Sequence, residues 1–204
     1  KASDEPLIQG DYRAFIEKET LYFSSERCRK DRTYWEQTYV DRPEESPVRL
    51  RSIPDTSVAA KRVTGVLSLF LERKLEAFCR ECSVTPAVLF ETVLILYLAR
   101  RNPGNRTVTI GVPVLNRSNA KEKEIAGMFI STMPLTVEVE GKMSVSELAR
   151  QTGRKHMDIF RHQKFPYGEI LRTLREKQNF SGNLYDVMVS YQNAKTLAEA
   201  NTKW

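Results

Sequence analysis

The sequence predicts an α/β fold, a layered sandwich of helices on a mixed sheet. Segments with helical spacing and segments with two-residue alternation take turns along the chain, and such a pattern packs helices against a sheet. The 204 residues are enough to bury roughly 70% of the surface of the extended chain, so a substantial core is possible. With 41% hydrophobic and 28% charged residues, the composition excludes a disordered, collagenous or disulfide-framed chain.

Residues 10–39 read as helix, broken at Ser24-Ser25, because Tyr12, Phe15, Ile16, Glu19 and Phe23 recur at helical spacing and Tyr34, Trp35, Thr38 and Tyr39 repeat the pattern. Pro43, Pro47 and Pro54 mark an irregular connection over 41–60. Val63 to Phe70 alternates with β character, and a helix is expected from about Glu72 to Glu81. Thr85 as N-cap and Pro86 at the first helical position start another helix, which runs to Arg100 and is apolar nearly all round, so burial on several sides is expected. Asn102 to Asn105 is a turn. Val108–Val114 reads as a strand ended by proline, 116–124 as a polar loop, and Met128–Val139 as a β stretch interrupted or bent at Pro134. Ser144 and Glu147 form a capping box that opens a helix to about His162. A short helix over 166–177 and a strand over 184–192 complete the order.

A net charge of +6 is mildly basic, but the excess is diluted through mixed runs such as Glu26 to Arg32. It forms no concentrated basic stripe, so nucleic acid is not an expected partner. Neither is a membrane: the longest apolar run, Ala87 to Ala99, is thirteen residues with a glutamate inside, against the roughly 20 that a spanning helix needs. Three cysteines are too few for a disulfide framework, and the reducing cytoplasm is the expected compartment. Cys79 and Cys82 have the spacing of a redox or zinc pair. They lie at a helix C-terminus, where the dipole raises a thiol pKa, and no second ligand pair accompanies them, so they read as small core residues with no metal. His156 and His162 point about 120° apart on one helix and cannot share a metal on one face. His156 reads as a surface or boundary residue, and His162 as a cation at a helix C-terminus. No nucleophile elbow, dinucleotide fingerprint, phosphate loop or zincin helix occurs. The residues alone give no complete catalytic set.

Five stretches, taken in order, resemble the condensation domain of nonribosomal peptide synthetases. Asp11-Tyr12-Arg13-Ala14-Phe15-Ile16, Ser25-Glu26-Arg27 and Lys30-Asp31-Arg32-Thr33-Tyr34-Trp35 resemble its opening helical stretch. Ile110-Gly111-Val112-Pro113-Val114-Leu115-Asn116-Arg117 resembles "iGtPvanR", and Gly127-Met128-Phe129-Ile130-Ser131-Thr132-Met133-Pro134-Leu135 resembles "G-x-F-V-N-T-L-P-L-R". Arg161-His162-Gln163-Lys164-Phe165-Pro166-Tyr167 resembles "H-Q-D-x-P-F-E", and Tyr185 to Asn193 resembles "F-q-V-m-f-x-x-Q-N". Ser131, Thr136, Lys164 and Gly168 depart from the residues usual there, and the family's "H-H-x-x-x-D-G" motif does not occur in these residues.

The resemblance implies a chloramphenicol-acetyltransferase-like fold, with residues 1–204 as an incomplete C-terminal lobe. Within it, 11–39 is a helical entry segment, 41–60 an irregular connection and 61–193 the α/β core. It also implies a transferase acting as one part of a multidomain synthetase of secondary metabolism, such as antibiotic biosynthesis. Amide bonds would form between aminoacyl and peptidyl thioesters on phosphopantetheine arms. Donor and acceptor peptidyl carrier proteins would deliver those arms, with no cofactor bound directly.

This lobe would supply tunnel wall and carrier docking, no catalytic residue and no activity by itself. Met128, Ser131, Thr132, Met133, His162, Gln163, Tyr191, Gln192 and Asn193 are the tunnel candidates. The expected partners are the N-terminal lobe and an adjacent adenylation domain, and an isolated lobe with exposed apolar surface would self-associate. An epimerisation or heterocyclisation subtype, or a non-catalytic platform that recruits carriers, remains an alternative at this point.

Overall fold

The computed structural model describes residues 11–41, 43–48, 60–117 and 119–192. They form seven helices and two strands: α1 Tyr12–Phe23, α2 Glu26–Thr38, α3 Leu69–Cys82, α4 Pro86–Arg101, β1 Thr107–Val114, α5 Ala120–Lys123, β2 Ser131–Glu138, α6 Val145–His162 and α7 Tyr167–Gln178.

Local chemistry sets the boundaries. Asp11 caps α1 by accepting from the Arg13 N–H at 2.8 Å. The Ser25 hydroxyl donates to the Tyr22 carbonyl at 2.6 Å and accepts from the Cys28 N–H at 3.1 Å, so one side chain ends α1 and starts α2. Thr85 and Pro86 open α4 as the sequence requires. In the capping box, the Glu147 carboxylate accepts from the Ser144 N–H and hydroxyl, and the Ser144 Oγ accepts from the Glu147 N–H. The left-handed residues Ser83 and Asn179 terminate α3 and α7.

The chain divides into two compact units. The first comprises Lys1–Pro43, Pro113–Pro134 and Met157–Leu184. Its core is aromatic-rich, with Trp35, Tyr39, Phe129, Phe165 and Phe180 buried beside Ile159, Ile170 and Leu174. The second comprises Glu44–Val112, Leu135–His156 and Tyr185–Trp204. Its core is aliphatic: Ile95, Leu98, Val108, Ile110, Leu135, Val137 and Leu148 lose nearly all exposure.

β1 and β2 pair as a two-stranded sheet. The Val139 N–H donates to the Arg106 carbonyl at 2.9 Å and the Thr109 and Thr136 hydroxyls meet at 2.9 Å, a register that runs antiparallel. In that alternation Pro134 falls where the β2 backbone faces away from β1, so its missing N–H forfeits no ladder bond and the strand runs through it. Thr136 thus meets Thr109 across the sheet.

Several expectations need correction. Residues 60–68 carry no strand: Val63 and Val66 are 96% and 95% exposed, and the Ser68 hydroxyl caps α3 by accepting from the Leu71 N–H. A strand needs a ladder partner, and none lies beside this segment among the described residues. Residues 184–192 form only one parallel bridge, in which Gly111 donates to the Val187 carbonyl and accepts from the Val189 N–H. β2 begins at Ser131 rather than Met128, and the loop after β1 contains the short helix α5. α4 is not buried all round, for Val93 and Tyr97 lie about half exposed. Part of the connection predicted over 41–60 lies outside the described residues. Among those described, no single helix is long and apolar enough to cross a membrane.

Within the second unit the Glu44 carboxylate fastens the entry to β1. It accepts from the Arg106 N–H at 2.8 Å, the Thr107 N–H at 2.6 Å and the Thr107 hydroxyl at 2.8 Å. Burial acts to raise its pKa, but the donors from Thr107 and Arg106 outweigh it and hold the carboxyl below its ordinary 4.5. Glu44→Ala is expected to cost about 1–3 kcal/mol in urea unfolding. Because the folded-state pKa is depressed, this contribution is complete above pH 4.5 and fades as pH falls through the folded value. The stability difference between wild type and Glu44→Ala should therefore shrink on acidification.

Candidate functional site

Two of the stretches that carried the family resemblance, the opening helices and Arg161–Tyr167, meet in the first unit at one buried carboxylate. The Asp31 side chain, on α2, has no solvent exposure. It accepts from the Tyr22 hydroxyl at 2.8 Å, from Arg27 Nε at 3.1 and 3.3 Å, and from His162 Nδ1 at 2.7 Å. Arg27 lies one helical turn before it, whereas His162 closes α6, 131 residues away in sequence. An ionised carboxylate only accepts, so His162 Nδ1 carries the hydrogen. The imidazole stacks on Tyr34 at 3.9 Å between centroids and 10° between planes. Its own carbonyl accepts from Trp35 Nε1 at 3.3 Å, and the Arg161 carbonyl accepts from Arg27 Nη2. Tyr22, Arg27, Tyr34 and Trp35 thus act with Asp31 to lock the end of α6 onto α1 and α2.

Burial, reinforced by the hydrogen bond to Asp31, pushes the Tyr22 phenol far above its ordinary range. Burial and the nearby Asp158 charge, partly offset by Thr38, push Tyr34 up to about 12. Paired imidazole and carboxylate are also the parts of a nucleophile-activating set. Here, among the described residues, no serine, threonine or cysteine hydrogen-bonds the imidazole. The arrangement positions backbone.

That brace holds a loop. The Gln163 Oε1 accepts from the N–H of Asn116, a left-handed residue after β1, at 3.1 Å, while Gln163 Nε2 donates to the Phe160 carbonyl at 2.8 Å. Arg117 then reaches forward, donating to the Lys123 and Gly127 carbonyls at 2.9 and 3.1 Å, with its guanidinium 4.3 Å from the Phe129 ring centre. Phe129 packs edge-on against Phe15 and Tyr12. A Cβ on Gly127 would lie 2.9 Å from Phe129 Cε2, so only glycine permits this close approach.

With Phe129 anchored inward, Met128 and Ile130 point outward, 88% and 61% exposed. Ser131 and Thr132 are half-buried, and Met133 is wholly buried core, with the Ser131 hydroxyl 3.9 Å from its sulfur. Among the tunnel candidates, the first unit therefore gathers Met128, Ser131, Thr132, Met133, His162 and Gln163. Tyr191 and Gln192 are exposed on the second unit, where Tyr191 stacks on Phe90 at 6.1 Å. Asn193 lies outside the described residues.

Asp31, Tyr34, Tyr22 and Arg27 are absent from the tunnel candidates predicted by sequence. The Arg27–Asp31 spacing was the available signal, but nothing local announces that His162 completes the cluster. His156 is more than a boundary residue: its Nδ1 meets the buried Glu91 carboxylate at 2.8 Å in the second unit. Cys28, Cys79 and Cys82 are buried and unbridged, and burial, then Cys82, pushes the Cys79 thiol up.

The family model for the condensation domain matches residues 1–204. The chain belongs to the condensation-domain family. It is 32% identical over 195 residues to a plipastatin synthase chain of Bacillus subtilis (strain 168), covering 93% of this chain and 7% of that protein. Surfactin synthase subunit 1 of the same organism is 31% identical over 194 residues, covering 94% and 5% respectively. The first condensation domain of the CDA synthetase superposes with a TM-score of 0.71 at 22% identity, covering 89% of this chain and 40% of that one. This condensation-domain chain thus has the α/β fold expected, and it spans two fifths of that solved chain and a small fraction of these synthetases.

Three outcomes test the site. Asp31→Ala strands a buried phenol, an imidazole and Arg27, and should cost about 3–5 kcal/mol in denaturant unfolding. Gly127→Ala forces Phe129 off Phe15 and should cost about 1–3 kcal/mol by the same measurement. The folded chain holds the Tyr34 proton to about 12, whereas the unfolded chain releases it near 10.0. This contribution is thus complete below pH 10.0 and lost as pH rises towards about 12. Tyr34→Phe keeps the stack and should lose less stability over that interval in alkaline unfolding scans.

Proposed function

We propose that this chain forms one wall of the passage in which a condensation domain joins an aminoacyl and a peptidyl or acyl group tethered to carrier proteins. The observation that carries the reading is the outward stretch Met128 to Thr132, fixed from behind by Phe129, Arg117 and Gln163. A wall that orients tethered chains must be rigid, because attack geometry supplies much of the rate.

In the reaction the acceptor amine attacks the donor thioester carbonyl. A C–N bond forms, the C–S bond breaks, the thiol of the donor phosphopantetheine arm leaves, and the amine gives up a proton. The residues assigned here position and exclude water; the proton-handling group belongs to the partner N-terminal lobe. Phosphopantetheine arms arrive as substrate on donor and acceptor carriers, in a cytoplasmic synthetase that also carries an adenylation domain.

Residues 141–180 hold nine Lys or Arg against four Asp or Glu. Arg161, Arg172 and Lys177 are paired with Asp158, Glu169 and Glu36. In the second unit Lys142, Arg150, Arg154 and Lys155 are exposed, and their charge steers an acidic carrier.

The test is made in the intact synthetase. Ser131→Trp should lower amide product by on the order of a hundredfold while amino-acid loading onto the carriers is unchanged. Unchanged product formation would remove Ser131 from the passage. The 204-residue chain supplied with loaded carriers should form no amide, and turnover by it would refute the division of labour between lobes.

A further inference from the structure

A cavity lies in the first unit between α2 and α7, and none of residues 128–132 lines it. It encloses about 280 Å³, at the lower edge of the range of roughly 300–1,000 Å³ typical of small-molecule sites. Its floor is apolar: Trp35, Phe165, Ile170 and Leu174 are each at most 3% exposed. The cavity follows from the stripes that face each other, residues 32, 35, 36 and 39 on one side and 170, 173, 174 and 177 on the other, both at helical spacing.

The polar groups around it are nearly all committed elsewhere. Trp35 Nε1 donates to the His162 carbonyl. The Thr173 hydroxyl donates to the Glu169 carbonyl at 2.9 Å. Gln178 Nε2 donates to the Tyr39 and Val40 carbonyls, while its Oε1 is buried and, among the described residues, has no hydrogen-bond partner. Lys177 and Glu36 neutralise each other at 2.9 Å. Arg32 is different. It is exposed, its guanidinium sits 5.9 Å from the Phe165 ring centre, and among the described residues no carboxylate pairs with it. Its side chain therefore puts positive charge with no paired carboxylate at the mouth of a cavity with an apolar floor.

We infer that this cavity binds a small hydrophobic carboxylate, its apolar body against Trp35, Phe165 and Leu174 and its carboxylate on the Arg32 guanidinium. The site is independent of the tunnel-wall reading, since no residue of that wall lines it. Arginine offers a planar fork that takes a carboxylate through two hydrogen bonds, and the ring beneath holds the guanidinium without satisfying its N–H groups.

The test uses the full chain with Trp204→Phe, which leaves Trp35 as the only one of two tryptophans, and the probe is 4-phenylbutyrate. Its titration should change the Trp35 fluorescence saturably, and the neutral analogue 4-phenylbutan-1-ol should bind more weakly. Arg32→Gln, an exposed substitution that leaves the fold intact, should weaken phenylbutyrate by roughly fivefold without affecting the alcohol. Thr173→Phe fills the cavity and should abolish both signals, with circular dichroism confirming the fold. An absence of saturation overturns the inference. So does equal affinity for acid and alcohol with Arg32→Gln neutral, or binding that survives Thr173→Phe in the folded variant.

Discussion

A carboxylate with no access to water organises the first unit. Desolvating an ionised aspartate is costly unless donors replace its hydration. Asp31 collects a phenol, a guanidinium and an imidazole from three places in the chain. Each donor drags its element along: Tyr22 brings the end of α1, Arg27 rigidifies α2, and His162 brings the end of α6. Removing any one leaves the buried Asp31 carboxylate short of a donor.

The chain just beyond His162 inherits that fixity. Gln163 is the next residue, and both ends of its amide are used, one on the Phe160 carbonyl and one on the Asn116 N–H. Asn116 in turn leads into Arg117, which ties the loop to Gly127 and covers Phe129. Side-chain hydrogen bonds to backbone thus run from a buried anion to an exposed strip of chain. This is how a surface segment is held still without being buried. The strip keeps Met128 and Ile130 in solvent because Phe129 between them is not.

The helices were legible because their signals are local. Ser25, Thr85, Pro86 and the Ser144–Glu147 box act within a single turn, and the structure places α2, α4 and α6 where those residues demand. Strands were legible only where a partner exists. Val108–Val114 and the residues after Ser131 pair with each other, whereas Val63 to Leu67 has the same alternation and stays single. Alternation reports which faces a strand would have, not whether a ladder awaits it. Met133 shows the same limit: its place in a motif suggests an exposed wall, and its environment is core.

The amino-acid order by itself determined the starts of α2, α4 and α6, the α/β class and, through five ordered stretches, the family. Those properties depend on neighbours a few residues apart or on similarity read position by position. Only the tertiary structure decided that Asp31 meets His162, that Gly127 must lack a side chain for Phe129 to sit down, and that Arg32 is left unpaired beside an apolar hole. These are facts about residues distant in sequence, where burial removes water and the surviving partners are fixed by packing rather than by spacing.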